Sequence, residues 1–213
     1  MPLYRSDIIN RDTRLLVWKI TESLEELSQG VGLKEVCTAR VGKMKSEQHR
    51  KGFLSVRRLM QEIGYTDFDL FYDADGKPHL KDGKNISITH SYGFSAIIVS
   101  SRNAGIDMEL RREKVIKIAD KFIDREFAYL DPARPAEYTR MLIVIWGVKE
   151  ALFKMISRDG LSFKQHMEIY PFTMNGDSGT AHVGFEEIDH TYTFHFEEIE
   201  DFTLVYSFEN NNT

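Results

Sequence analysis

The sequence predicts an α+β fold that allows two similar halves, each containing helices and β-hairpins. Three observations lead there. Helical and β-type periodicities occur on both sides of the stretch Arg102–Gly105. No low-complexity linker interrupts the chain. The final third alternates with period two between turn signals, as an antiparallel meander does.

Taken in order, LLVWKI (15–20) reads as a strand, and Thr21–Ser28 as a short helix with Ser23 three residues before Glu26. SEQHRKGFLSVRRLMQEIG (46–64) sets Phe53, Val56, Leu59, Met60 and Ile63 at helical spacing, with Gly64 at its end. DADGKPHL is a turn by composition. ISITHS (86–91) and AIIVSS (96–101) read as a hairpin across YGFS, followed by a third strand, GIDMEL (105–110). Glu113–Leu130 is apolar-periodic and predicts a helix, and Ala136–Ser157 predicts a longer one containing MLIVIW. HMEIY, AHVGFEEI, TYTFHFEEI and DFTLVYSFE supply the strands of the meander.

Composition narrows the class. With 213 residues, 42% hydrophobic and 29% charged, the chain has enough apolar mass for one large or two small cores. A net charge of −5 argues against an electrostatic grip on nucleic acid or on an anionic membrane. Cys37 is the only cysteine, so no internal disulfide forms and a reducing compartment is expected. The polar start MPLYRSDIINRDTR lacks a signal-peptide apolar run, and nothing reaches the roughly 18 apolar residues of a membrane span. A cytoplasmic location is expected.

The chemistry lies in a few short segments. On a strand, Asp107 and Glu109 project to one face and Ile106 and Met108 to the other. Two carboxylates on one face repel, and a hard dication such as Mg²⁺ would relieve that repulsion. A solvated polar face would look the same. In WGVKEALFKM (146–155), Lys149, Glu150 and Lys154 interrupt an otherwise apolar helix. A surface pair of Glu150 and Lys154, contributing about 0.3–0.5 kcal/mol, suits an exposed helix better than this one. His90 closes the ITHS strand, GKP occupies 76–78, and the helix 46–64 carries His49, Arg50, Arg57 and Arg58. Together these groups suit a pyrophosphate ligand.

In order and spacing these segments resemble the 4′-phosphopantetheinyl transferases, specifically the single-chain, two-half type that activates surfactin synthetase. The carriers are GIDME (105–109), WGVKEALFK (146–154), GKP (76–78), ITHS (88–91), His49–Arg50, Glu126 and GLSF (160–163), from about residue 45 to the end. The resemblance implies that family's fold, two pseudo-symmetric α/β halves that each pack a small antiparallel sheet on helices, with an N-terminal nucleotide-side half (1–103), a C-terminal metal half (104–213) and an active site between them. It implies transfer of the phosphopantetheine arm of coenzyme A to a serine of an acyl or peptidyl carrier protein, releasing 3′,5′-ADP, by a monomer using Mg²⁺ or Mn²⁺. Asp107, Glu109 and Glu150 would hold the metal. Lys154 and His90 would touch the pyrophosphate, with Lys149 beside them and Thr89 in place of the usual serine. Arg50 would meet the 3′-phosphate, and Lys77 and Pro78 would border the adenine. Glu126 would act as the base, making Glu126, Lys154 and Glu150 the catalytic set. Lys34, Lys43 and Lys45 are candidates for further phosphate contacts, and Arg111, Arg112, Lys114 and Lys117 for docking an acidic carrier. The competing readings are a non-catalytic coenzyme A-binding homologue and a Mg²⁺-dependent hydrolase of nucleotide pyrophosphates.

Overall fold

The computed structural model describes residues 3–209; residues 1–2 and 210–213, the outer ends of the two expected halves, lie outside them. The chain passes from one compact unit to a second between Arg102 and Asn103.

The first unit is a six-stranded antiparallel sheet in the order β1-β2-β6-β5-β4-β3. Its strands are β1 Leu3–Asn10, β2 Thr13–Lys19, β3 Leu70–Tyr72, β4 Pro78–Leu80, β5 Asn85–Ser91 and β6 Phe94–Ser100. Its helices are α1 Leu24–Ser28, α2 Glu35–Lys43 and α3 Glu47–Gln61. In α1 the Glu26 amide donates to Ser23 Oγ at 3.1 Å and the Ser23 amide to Glu26 at 2.8 Å, so the expected capping box forms. In α3 Ser46 caps the amide of His49 at 3.3 Å, and the chain turns at Gly64 with φ +84. The apolar stripe of α3 buries Phe53, Val56, Leu59 and Met60 against Leu16, Trp18, Ile86, Ile97 and Val99 of the sheet. Strand β1, which the polar sequence start conceals, alternates half-buried and exposed positions as an edge strand does.

The second unit has a five-stranded antiparallel sheet in the order β7-β11-β10-β9-β8. Strand β7 is Ala104–Leu110, β8 Met167–Ile169, β9 Ser178–Phe185, β10 Ile188–Ile199 and β11 Phe202–Phe208. The long helix α4, Pro135–Ile156, packs on it, and the short α5, Phe163–His166, leads into β8. The predicted helix over 113–130 is corrected: the segment is two 3-10 pieces, Glu113–Lys121 and Arg125–Ala128, broken at Phe122–Asp124. Side chains take the backbone groups that a continuous helix would need. The Asp124 amide donates to Glu126 at 3.0 Å, and the Phe122 carbonyl accepts from Lys149 at 2.7 Å. Among the described residues no helix is long and apolar enough to cross a membrane.

Candidate active site

In the second unit, β7 pairs with β11 so that Asp107 faces Val205 and Glu109 faces Thr203. Gly105, Asp107 and Glu109 share the strand face that α4 covers, because side chains alternate along a strand. Two glycines permit the close approach. A Cβ on Gly105 would lie 1.9 Å from the Ala151 carbonyl oxygen, and one on Gly147 would lie 2.8 Å from Val205 Cγ2. Trp146, Glu150 and Lys154 follow at four-residue spacing and so lie on one face of α4. Lys154 Nζ donates to Asp107 Oδ1 at 2.6 Å and to the Ile106 carbonyl at 3.1 Å. Trp146 Nε1 donates to Glu109 Oε1 at 3.2 Å. Lys154 therefore pairs across to the strand, in place of the Glu150–Lys154 surface pair.

The electrostatics follow from this crowding. Burial pushes the Glu109 carboxyl up to about 7, with Asp107 and Glu150 adding to the rise and the Trp146 hydrogen bond and Lys154 opposing it. Burial likewise raises Glu150, followed by repulsion from Asp107, again against Lys154. The three carboxylates thus sense one another across strand and helix. Their side chains do not converge as they stand: among the described residues no three His, Cys, Asp or Glu groups form a ready metal cage. Asp107 is turned to Lys154 and Glu109 to Trp146. The donor set nonetheless fits a small hard cation, since it offers carboxylate oxygens alone and carries a repulsion that a dication removes.

Lys149 and Glu126 meet each other inside the second unit. Lys149 is fully buried and Glu126 is 1% exposed, and their Nζ and Oε1 atoms lie 2.6 Å apart. Lys149 also donates to the carbonyls of Phe122 and Phe163, at 2.7 and 3.0 Å. Glu126 accepts from the amides of Asp124 and Ile169, both at 3.0 Å. Burial lowers the Lys149 pKa, with Glu126 the main opposing influence. Glu126 borders a recess of about 120 Å³, but its carboxylate is committed to these partners. Neither residue joins the acidic cluster. Consecutive residues on a helix point about 100° apart, which sends Lys149 into the core while Glu150 faces β7.

The first unit holds a separate pocket of about 280 Å³, lined by Arg40, His49, Phe53, Tyr72 and His90 among others. Arg40 from α2 lies 5.9 Å from the centre of the Phe53 ring and 6.0 Å from that of Tyr72. The His49 and His90 rings are 6.5 Å apart. Gly52 lets α3 lie over His90, since a Cβ there would come within 3.1 Å of the imidazole. Beneath, Arg57 donates to Asp67 at 3.0 Å and stacks 3.5 Å from the Phe53 ring centre. Thr89 is buried beside His90 on β5, and Pro78 pairs with Tyr72 across β4 and β3. The Lys77 amide is held by Asp73 at 2.9 Å. Arg50 is not among the lining residues, and its Nε donates to the Met44 carbonyl at 2.7 Å. Lys34 donates its ammonium to the Leu70 carbonyl. Arg111, read as a docking residue, donates to the carbonyls of Phe202 and Glu200 and so clamps the β10–β11 turn. Sequence reading missed Arg40, which sits on an unread helix, and gave Trp146 no role although it opens the lysine motif.

A model of the 4′-phosphopantetheinyl transferase superfamily matches residues 103–207. Over these residues the chain is similar to that superfamily. The match spans β7, α4 and the sheet through β11, and with them Asp107, Glu109, Glu150 and Lys154. The first-unit pocket lies outside it. The 4′-phosphopantetheinyl transferase gsp of Aneurinibacillus migulanus is 26% identical over 111 residues, covering 50% of this chain. The matched stretch covers 47% of that relative, about half its length.

Proposed function

We propose that this protein is a phosphopantetheinyl transferase of the single-chain, two-half type. It moves the 4′-phosphopantetheine arm of coenzyme A onto a serine of an acyl or peptidyl carrier protein and releases 3′,5′-ADP. The observation that carries this reading is the cluster of Asp107, Glu109, Glu150 and Lys154 on one β7–α4 face, within the half that matches the superfamily.

In this reading the serine oxygen attacks the β-phosphorus of coenzyme A, and the bond to the bridging oxygen of the pyrophosphate breaks. Asp107, Glu109 and Glu150 would hold Mg²⁺, or Mn²⁺ in its place. When bound, the ion neutralises pyrophosphate charge and polarises the phosphoryl group. Lys154, already 2.6 Å from Asp107, exchanges that partner for a phosphate oxygen and stabilises the leaving group. The serine proton goes to solvent water, because the Glu126 oxygens already accept from Lys149 and the Ile169 amide. In the first unit, Arg40, His49 and His90 offer cations and donors to phosphate, while Tyr72 and Phe53 give the adenine an apolar wall. Lys77 and Pro78 border that wall through the β3–β4 turn, and Arg50 braces the segment before α3. The protein is expected to act as a cytoplasmic monomer.

The test is direct. Purified protein is incubated with coenzyme A, Mg²⁺ and an apo carrier protein, and the carrier is weighed by mass spectrometry. A gain equal to one phosphopantetheine is expected. Release of 3′,5′-ADP with the carrier unchanged would favour hydrolysis, and no reaction of either kind would reject both enzymatic readings.

A further inference from the structure

The buried Lys149–Glu126 pair is linked to the acidic cluster by a continuous path of contacts. Lys149 Nζ holds the carbonyls of Phe122 and Phe163, two residues from separate segments that no sheet ladder joins. The rings of those same residues meet the indole of Trp146 edge to face, at 5.0 Å for Phe122 and 5.5 Å for Phe163. The indole N–H then donates to Glu109 Oε1 at 3.2 Å. Glu126 anchors the arrangement from the far side. It takes the third Lys149 contact and the Ile169 amide, while the Ile169 carbonyl accepts from Tyr129 at 2.9 Å.

We propose that the Lys149–Glu126 pair is a positioning device for Glu109, acting through the Phe122–Trp146–Phe163 cage. Lys149 and Glu126 touch neither substrate nor metal in this account. A buried charge pair is costly to form and its partners are hard to satisfy, yet here Lys149 has three acceptors and Glu126 three donors. A satisfied network of this kind rigidifies what it touches. What it touches is the cage that fixes the direction of the indole N–H. Groups that hold a metal-binding side chain in place typically change metal affinity about 10–100-fold when removed. The metal part of the inference rests on the function proposed above; the orientation of Glu109 by Trp146 does not.

The test uses Trp146→Phe, which keeps an aromatic ring and removes the N–H, and Lys149→Met with Glu126→Gln, which removes the clasp without leaving a buried charge. Two readings are taken on folded protein. The first is the indole N–H resonance of metal-free ¹⁵N-labelled protein, assigned to Trp146 by its loss in Trp146→Phe. It is expected to shift and to exchange faster with solvent in the paired variant. The second is Mn²⁺ affinity by titration, expected to weaken about tenfold in either variant and no further when the two are combined. An unmoved indole resonance in the paired variant, or losses that multiply on combination, overturns the proposal. Should the paired variant fail to fold, Phe163→Leu removes one wall of the cage without touching a charge, and unchanged readings there overturn it equally. Wild-type protein that binds no Mn²⁺ would instead contradict the metal site, while the indole reading continues to test the positioning.

Discussion

At the scale of single residues, the proposed chemistry depends on which of several adjacent charges face the β7–α4 cluster. Asp107, Glu109, Glu150 and Lys154 were legible in the sequence because two simple periodicities place them, alternation on a strand and four-residue spacing on a helix. The neighbour Lys149 was not. Its direction depends on Glu126, Phe122 and Phe163, which lie 23, 27 and 14 residues away in the chain, and no local pattern announces such a partner set. Arg40 was hidden for a different reason: α2 buries only Cys37 and shows little apolar periodicity to mark it. If Arg40 reads phosphate, Arg40→Ala removes a charge-assisted bond worth about 1.5–3 kcal/mol. KM for coenzyme A should then rise at least about tenfold with kcat little changed, as steady-state kinetics would reveal. Arg50→Ala should act mainly on the stability of the loop before α3, because its Nε already serves the Met44 carbonyl.

A second prediction at this scale concerns acid. Burial would raise the Asp67 pKa, but the Lys34 amide, the Cys37 thiol and Arg57 outweigh it and hold the carboxyl below its usual value. A depressed folded pKa contributes stability that is complete above the unfolded value of about 3.9 and is lost as pH falls through the folded value. Asp67→Asn should therefore destabilise the protein at neutral pH by about 3–5 kcal/mol, since it leaves Arg57 buried without a counter-charge. The gap from wild type should close below about pH 4. Urea unfolding at pH 7 and pH 3 checks both the size and the sign.

At the scale of elements, the approach of α4 to β7 decides whether the cluster exists at all. Gly105 is the tightest point of that approach, and its motif position reflects contact as much as chemistry. Gly105→Ala places a methyl 1.9 Å from the Ala151 carbonyl oxygen, and neither backbone can yield cheaply. A loss of about 3 kcal/mol is expected, together with weaker Mn²⁺ binding, because Glu150 and Lys154 move away with the helix. Thermal melts and metal titration on the same sample would reveal whether the two effects travel together. The segment 113–130 teaches the opposite lesson. Its apolar periodicity was real, and Val115, Ala119 and Phe122 are buried, yet it forms two 3-10 pieces. Periodicity reports which side is apolar; it says nothing of side chains elsewhere that compete for the backbone carbonyls. Strand β1 escaped notice because an edge strand needs only a half-buried face.

At the scale of the whole molecule, two compact α+β units appear on either side of Arg102–Asn103, each with its own antiparallel sheet and its own core. The acidic cluster belongs to the second unit and the Arg40–His90 pocket to the first. The measurement that bears most directly on this account compares wild type with Asp107→Ala in the loading of an apo carrier protein from coenzyme A. Both are assayed with Mg²⁺ and with a chelator, and the carrier mass is read over time. Wild type should load the carrier only with metal. Asp107→Ala should be slower by at least about 100-fold, since metal stabilisation of the transition state is worth several kcal/mol. Near-native loading by Asp107→Ala, or full activity of wild type in chelator, would contradict the account.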